Sequence, residues 1–234
     1  MNQFLERLNS GEILVADGAT GSNLQKMGLK PGKPPEDLII DDPDTILKLA
    51  SSFAQAGSDI ILTCTFGGTR MRMKDSKYQD RAPEVNIRAA EIARKAASLN
   101  GGLVAGSMGP IGALVKPYGP VDADDVKATF AEQAKALADG GVDLLLVETI
   151  FDSLNAKAAL VAIQEVFEQD KVRLPISISA AVGRGGETMI SAQTIEAYWN
   201  AVKHVKPLSV GLNCSLGPDL MRPFLAELSE KSGA

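Results

Sequence analysis

Few residues in this chain have the type and setting to do chemistry. Cys214 lies in Gly-Leu-Asn-Cys-Ser-Leu-Gly-Pro, residues 211–218. The glycines let backbone approach a ligand closely, and a thiolate placed there binds zinc or attacks an electrophile. The competing reading is a buried, inert thiol. Two carboxylates stand where apolar runs end: Glu148 after Leu144-Leu-Leu-Val147, and Asp17 after Ile13-Leu-Val-Ala16. An unpaired buried charge is costly, so each calls for a substrate cation or a donor from a neighbouring loop. The alternative is that each caps a helix or ties two loops together. Neither has the local context of a glycosidase pair, and spacing assigns no acid–base role.

Other candidates carry less. The Gly106–Gly112 segment is not a dinucleotide fingerprint, and no phosphate-binding P-loop occurs. Gly183-Arg-Gly-Gly-Glu187 reads either as an anion-binding loop or as a solvated turn. His204, the only histidine, falls beside Lys203 and Lys206 near a helix end, which suits a surface residue and excludes histidine-based chemistry.

The elements that must position these residues alternate. Apolar runs rich in Val, Ile and Leu predict strands over 13–17, 59–63, 103–107, 143–148, 175–179 and 209–213. Helices are predicted over 44–56, 85–99, 124–139, 153–168, 194–205 and 218–230. Carboxylates at Asp122–Asp125 suit a helix start, and Gly140-Gly141 suits the left-handed turn that ends that helix. Pro218 fits a first turn, whereas Pro223 is expected to distort the last helix unless it starts later. Tyr198 and Trp199 are expected to pack on the outside of the sheet.

Strict alternation with nearly all-apolar strands predicts a parallel sheet covered by helices, an α/β fold. Polar and glycine-rich residues follow every strand rather than one switch point, which favours a (β/α)8 TIM-barrel type over a doubly wound sheet. Six strand ends recur about every 39 residues, so eight units would need roughly 310 residues against the 234 here. The barrel is therefore expected to be incomplete, with about six βα units. In that geometry Cys64 and Cys214 end strands far apart, so neither a bridge nor a shared metal is expected.

Composition sets the class. With 45% hydrophobic, 5% aromatic and 23% charged residues, the chain reads as soluble and globular. Lys plus Arg 24 against Asp plus Glu 29, net charge -5, argues against a nucleic-acid partner. No apolar run approaches the roughly 18 residues of a spanning helix, so no membrane partner is expected. The start, MNQFLERLNSGE, lacks a basic region followed by an apolar one, and two cysteines suit a reducing compartment, so a cytoplasmic address is expected.

The segments ILVADGATGSNLQ (13–25), DIILTCTFGGTR (59–70), GSMGPIG (106–112), VDLLLVETIFDSLNAKAAL (142–160) and GLNCSLGPDLMRPFLAEL (211–228) resemble the homocysteine S-methyltransferase family, and most closely its cobalamin-dependent branch. The resemblance implies one homocysteine-binding methyltransferase barrel over 1–234. In it Asp17, Glu148, Asn213 and the backbone of Gly18, Ala19 and Thr20 hold the amino acid. Cys214 is implied to be one of three thiolates that bind zinc, and zinc to bind the homocysteine sulfur. The implied donor is methylcobalamin on a corrinoid protein or domain, and the product methionine. Two departures are visible. The family's adjacent Cys-Cys pair does not occur here, so a C-terminal complement carrying it is expected, and Cys64 stands where relatives commonly have Asn. Two alternatives stay open: a corrinoid-linked demethylase or methyltransferase for another thiol, and a non-catalytic amino-acid-binding or assembly subunit that has lost its zinc site.

Overall fold

The computed structural model describes residues 2–233. Five strands, β1 (Ile60–Leu62), β2 (Leu103–Met108), β3 (Leu144–Ile150), β4 (Ile176–Ala180) and β5 (Ser209–Leu212), form one sheet in the order of the sequence. All neighbouring pairs are parallel. Every crossover therefore steps to the next strand in one direction, as the winding of a barrel requires; a doubly wound sheet would reverse at a switch point. The sheet is not closed. Among the described residues β5 has one strand neighbour, and the outer side of β1 carries only a bridge from Ala16 to Ile60.

That bridge corrects the strand predicted over 13–17. The Val15 N–H goes to the Asp59 carboxylate at 2.9 Å rather than to a ladder carbonyl. The Val15 carbonyl accepts from both Asp59 N and Ile60 N, at 2.7 and 3.2 Å. Ile13 and Val15 remain largely exposed, so the segment lacks the second flank that would make it a central strand.

The predicted helices are present as α4 (Pro43–Gln55), α5 (Ala82–Ala97), α6 (Ala123–Asp139), α7 (Ser153–Asp170), α8 (Ile195–Val202) and α9 (Pro218–Ser232), preceded by α1 (Asn2–Asn9), α2 (Thr20–Lys26) and α3 (Leu38–Asp41). Asp42, Asp152 and Thr194 cap α4, α7 and α8 by accepting backbone N–H bonds from Thr45, Leu154 and Ala197. Asp122 precedes α6 but binds Lys116 Nζ at 2.8 Å instead of capping. Gly141 adopts φ +81°, the left-handed stop expected there. α9 continues through Pro223, contrary to the expected distortion. The carbonyl that Pro223 leaves without a donor belongs to Asp219, an exposed residue, where a missing helix bond costs little.

The core lies between the sheet and alanine-rich helix faces such as Ala156, Ala159 and Ala162 of α7, whose small side chains let helix and strand approach closely. Tyr198 is fully buried there and Trp199 half-buried, while His204 is exposed in a short 3-10 turn, Lys203–Val205. No helix among the described residues is long and apolar enough to cross a membrane.

One device recurs where helices return to strands. Asp59 and Asp143 each stand one residue before a strand, two residues after a left-handed glycine, Gly57 and Gly141. Asp59 accepts from Val15 N and Arg7; Asp143 accepts from Val104 N at 2.7 Å and from Arg94 Nη2 at 2.6 Å. Each carboxylate thus ties its strand to the preceding segment at the end of the sheet away from the cleft described below. Asp143→Ala strands the Val104 N–H and is expected to destabilise the fold by about 1–3 kcal/mol, read as a lower urea midpoint with an unchanged slope.

Candidate functional site

The carboxyl ends of the strands open into a cleft of about 710 Å³ whose walls include Asp17, Cys64, Ser107, Glu148, Asn213 and Cys214. Parallel pairing brings them together, since each follows a strand or lies near its carboxyl end, or in the case of Asp17 follows the Ala16 bridge.

Asp17 is half-buried. Its Oδ2 accepts the Leu62 N–H at 3.0 Å, while Oδ1 is buried with no hydrogen-bond partner. Burial pushes its pKa up to about 7; the Leu62 bond opposes this and the charge of Glu148 adds to it. Glu148 is held by a short hydrogen bond from the Ser107 hydroxyl, and burial raises its pKa against that donor. Ser107 is in turn fixed by Thr63, whose Oγ1 accepts the Ser107 N–H at 2.9 Å, and by Thr65, whose hydroxyl donates to the Ser107 carbonyl at 2.8 Å. Two desolvated carboxyls in one cleft, one with an orphaned oxygen, leave acceptor capacity that a hydrogen-bond donor or a cation would satisfy.

Gly18, Ala19 and Thr20 line the same cleft at the start of α2, which has no side-chain cap. A Cβ at Gly18 would lie 2.8 Å from the Phe53 ring, so any larger residue there forces the ring to shift. Cys214 is exposed at φ +48°, so the inert buried thiol is not what the structure holds at this position. Its sulfur accepts from Asn213 Nδ2 at 3.2 Å. Cys64, by contrast, is buried, and burial together with the charges of Glu36 and Asp17 drives its thiol pKa well up. The two cysteines share the cleft walls but stay free and differ in state.

The Gly183–Glu187 segment is a turn, with Gly183 N donating to the Glu187 carbonyl at 2.8 Å and Gly186 N to the Gly183 carbonyl at 3.0 Å, so two of its amides are engaged internally. Several site residues were not singled out from sequence. Ser107 lies inside the Gly106–Gly112 segment, and a serine on a strand carries no signal of the carboxylate it will meet. Glu36 is 5% exposed, and its Oε1 accepts the Gly67 N–H at 2.7 Å in the cleft wall; it follows Pro34-Pro35 rather than an apolar run, so no strand-end pattern marks it. Thr149 sits at φ +59° beside Glu148, a conformation that nothing in a Glu-Thr sequence announces.

A profile of the family described as homocysteine S-methyltransferase matches residues 14–234. The chain belongs to the homocysteine S-methyltransferase family. Its fold is similar to that of the homocysteine methyltransferase MmuM from Escherichia coli in the apo form, with TM-score 0.73 at 20% identity over 93% of this chain and 78% of that one. The metallated form of MmuM gives TM-score 0.64 at 15% identity, covering 95% of this chain and 99% of that one. The carboxyl transferase domain of Rhizobium etli pyruvate carboxylase gives TM-score 0.51 at 17% identity over 94% of this chain and 34% of that one. At these identities the structural likeness concerns the fold, that of an unclosed TIM-barrel type, and family membership rests on the sequence match.

In this homocysteine S-methyltransferase-family chain, the state of Asp17 has a measurable signature. A carboxyl whose pKa rises from 3.8 to about 7 on folding binds its proton more tightly in the folded state, so its burial costs stability progressively as pH rises from about 4 to 7. Asp17→Asn removes that cost. It is expected to stabilise the chain at pH 8 by about 1 kcal/mol or more, a Tm gain of about 2–4 °C by calorimetry, with no gain at pH 4.

Proposed function

We propose that this chain is the homocysteine-binding barrel of a methyltransferase, and that the cleft holds homocysteine for conversion to methionine. In this reading Asp17 and Glu148 take the ammonium group, the backbone of Gly18, Ala19 and Thr20 takes the carboxylate, and the substrate sulfur lies beside Cys214. The observation that carries it is the pairing of two half-buried, desolvated carboxyls, one with an orphaned oxygen, with an exposed thiol on a single cleft.

Zinc is the metal that the resemblance implies, and the residues present do not fit a complete site for it. Cys64 is buried with a raised thiol pKa, His204 lies outside the cleft lining, and no group of three or more His, Cys, Asp or Glu that could hold a metal occurs among the described residues. Cys214 remains as a single donor, where a protein zinc site takes three or four. The proposal therefore includes a Cys-Cys-bearing complement outside these 234 residues, with methylcobalamin on a corrinoid protein or domain as methyl donor and the cytoplasm as the place of action. What this chain's own residues do is bind and orient the amino acid. The desolvated carboxylates fix the ammonium end, so the thiol end projects toward Cys214.

Two outcomes test the reading. L-Homocysteine binding, followed by calorimetry, is expected to weaken as pH falls from 8 to 6, because protonation of Asp17 near pH 7 removes negative charge that attracts the ammonium; pH-independent affinity over that range would count against the assignment. Isotope-labelled methyl transfer from methylcobalamin to homocysteine, measured with a Cys-Cys-containing barrel segment supplied, is expected to fall by more than about 100-fold in Cys214→Ser, beyond the cost of losing an outer partner of a metal ligand. Transfer that persists in Cys214→Ser would remove the sulfur-end assignment.

A further inference from the structure

The resemblance implies that Asn213 contacts the substrate, yet its side chain has no hydrogen-bonding capacity left. Oδ1 accepts from Thr149 N at 3.2 Å and from the Ser179 hydroxyl at 2.7 Å. Nδ2 donates to Thr149 Oγ1 at 2.8 Å and to Cys214 Sγ at 3.2 Å. A backbone N–H only donates, so the contact with Thr149 N fixes which side of the amide is oxygen. Both lone pairs and both N–H bonds are engaged, and they reach the ends of β3, β4 and β5 at once.

What the amide holds is an unusual stretch of backbone. The pairing of β3 with β4 shifts register between Val147 and Ile150, the interval containing Glu148 and Thr149. Thr149 lies at φ +59°, a genuine outlier for a β-branched residue, and Cys214 lies at φ +48°. Such conformations persist only where surrounding contacts over-determine them. Here those contacts come from Asn213, which grips Thr149 at both its backbone N–H and its hydroxyl. Thr149 Oγ1 also stands 4.0 Å from the Cys214 sulfur. A regular strand would alternate its side chains through Glu148 and Thr149; the shifted register interrupts that alternation at Glu148, which lines the cleft, and Thr149, which meets Asn213.

We propose that Asn213 and Thr149 are positioning residues: one clamp that sets the Glu148 carboxylate and the Cys214 sulfur relative to each other, with Asn213 making no hydrogen bond to the amino acid. This inference rests on reading the cleft as an amino-acid site. It locates discrimination for the ammonium group partly in Thr149, a residue that touches the substrate only through its neighbours.

The test compares calorimetric binding of L-homocysteine and of 4-mercaptobutyrate, which keeps the thiol chain and carboxylate but lacks the ammonium, to the full chain and its variants. Thr149→Val and Asn213→Ala are each expected to weaken homocysteine about tenfold while changing 4-mercaptobutyrate by less than about twofold. Thr149→Ser, which keeps the hydroxyl, retains wild-type selectivity. The double variant Asn213→Ala/Thr149→Val is no worse than either single one, since both break the same clamp. Wild-type selectivity in Thr149→Val with loss confined to Asn213→Ala means direct contact by Asn213 and overturns the proposal; equal failure of Thr149→Ser and Thr149→Val also overturns it. A second measurement needs no ligand. The Asn213 side-chain amide protons, followed by nitrogen-15 NMR, are expected to exchange slowly in wild type and Thr149→Ser and quickly in Thr149→Val. A chain that binds neither thiol yet shows this exchange pattern overturns the amino-acid reading and upholds the clamp; fast exchange in wild type overturns the clamp.

Discussion

Parallel pairing in the order of the sequence is the constraint on which this molecule depends. Because neighbouring strands run the same way, every strand delivers its last residues to one end of the sheet, and every return passes through a helix on the outside. Ser107, Glu148, Asn213 and Cys214 are scattered through the second and third thirds of the chain and share one cleft for this reason. The opposite end is left to stability. There Asp59 and Asp143 repeat a single arrangement, a carboxylate joining an arginine to the backbone of the preceding segment. The division of labour between the two ends is the one expected of barrel-type architectures.

At the cleft, apolar strands carry carboxyl groups into surroundings that disfavour their charge. Asp17 and Glu148 both respond with raised pKa values, and each is restrained by one donor, Leu62 N or the Ser107 hydroxyl. Stability is given up to keep these carboxyls desolvated, and in a cleft a carboxyl so perturbed marks a candidate functional site. The thiol of Cys214 faces different conditions: exposed, at a left-handed residue, with an amide N–H directed at its sulfur. Cys64, a short distance along the same wall, is buried near two carboxyls and suppressed as a nucleophile by both effects. Two chemically identical side chains are thus sorted by environment into one usable and one inert.

Much of the fold was legible in the residues. Apolar runs of four or five residues bounded by polar ends announced β2, β3, β4 and β5, and the Gly140-Gly141 pair announced the end of α6, because these are local consequences of burial and of left-handed backbone. The segment 13–17 misled, since its apolar run matches a central strand; a strand needs a continuous ladder with a neighbour, and here the pairing with β1 is reduced to one bridge while Ile13 and Val15 stay exposed. Pro223 misled in the opposite direction, because an exposed carbonyl tolerates the missing donor. Glu36 gave no signal at all, as its burial comes from a loop folding over Gly67 rather than from any periodic pattern.

The sequence by itself determined the α/β alternation, the placing of Glu148 near the end of β3 and of Cys214 after β5, and, through whole motifs, the family. These are properties of short stretches, set by side-chain volume, polarity and local backbone preference. Only the tertiary structure decided that Cys64 is buried while Cys214 is open, that Asp17 keeps an oxygen without a partner, and that Asn213 is fully occupied by Thr149, Ser179 and Cys214. Desolvation and hydrogen-bond saturation depend on residues tens of positions apart meeting in space, and no local pattern encodes which of them will meet.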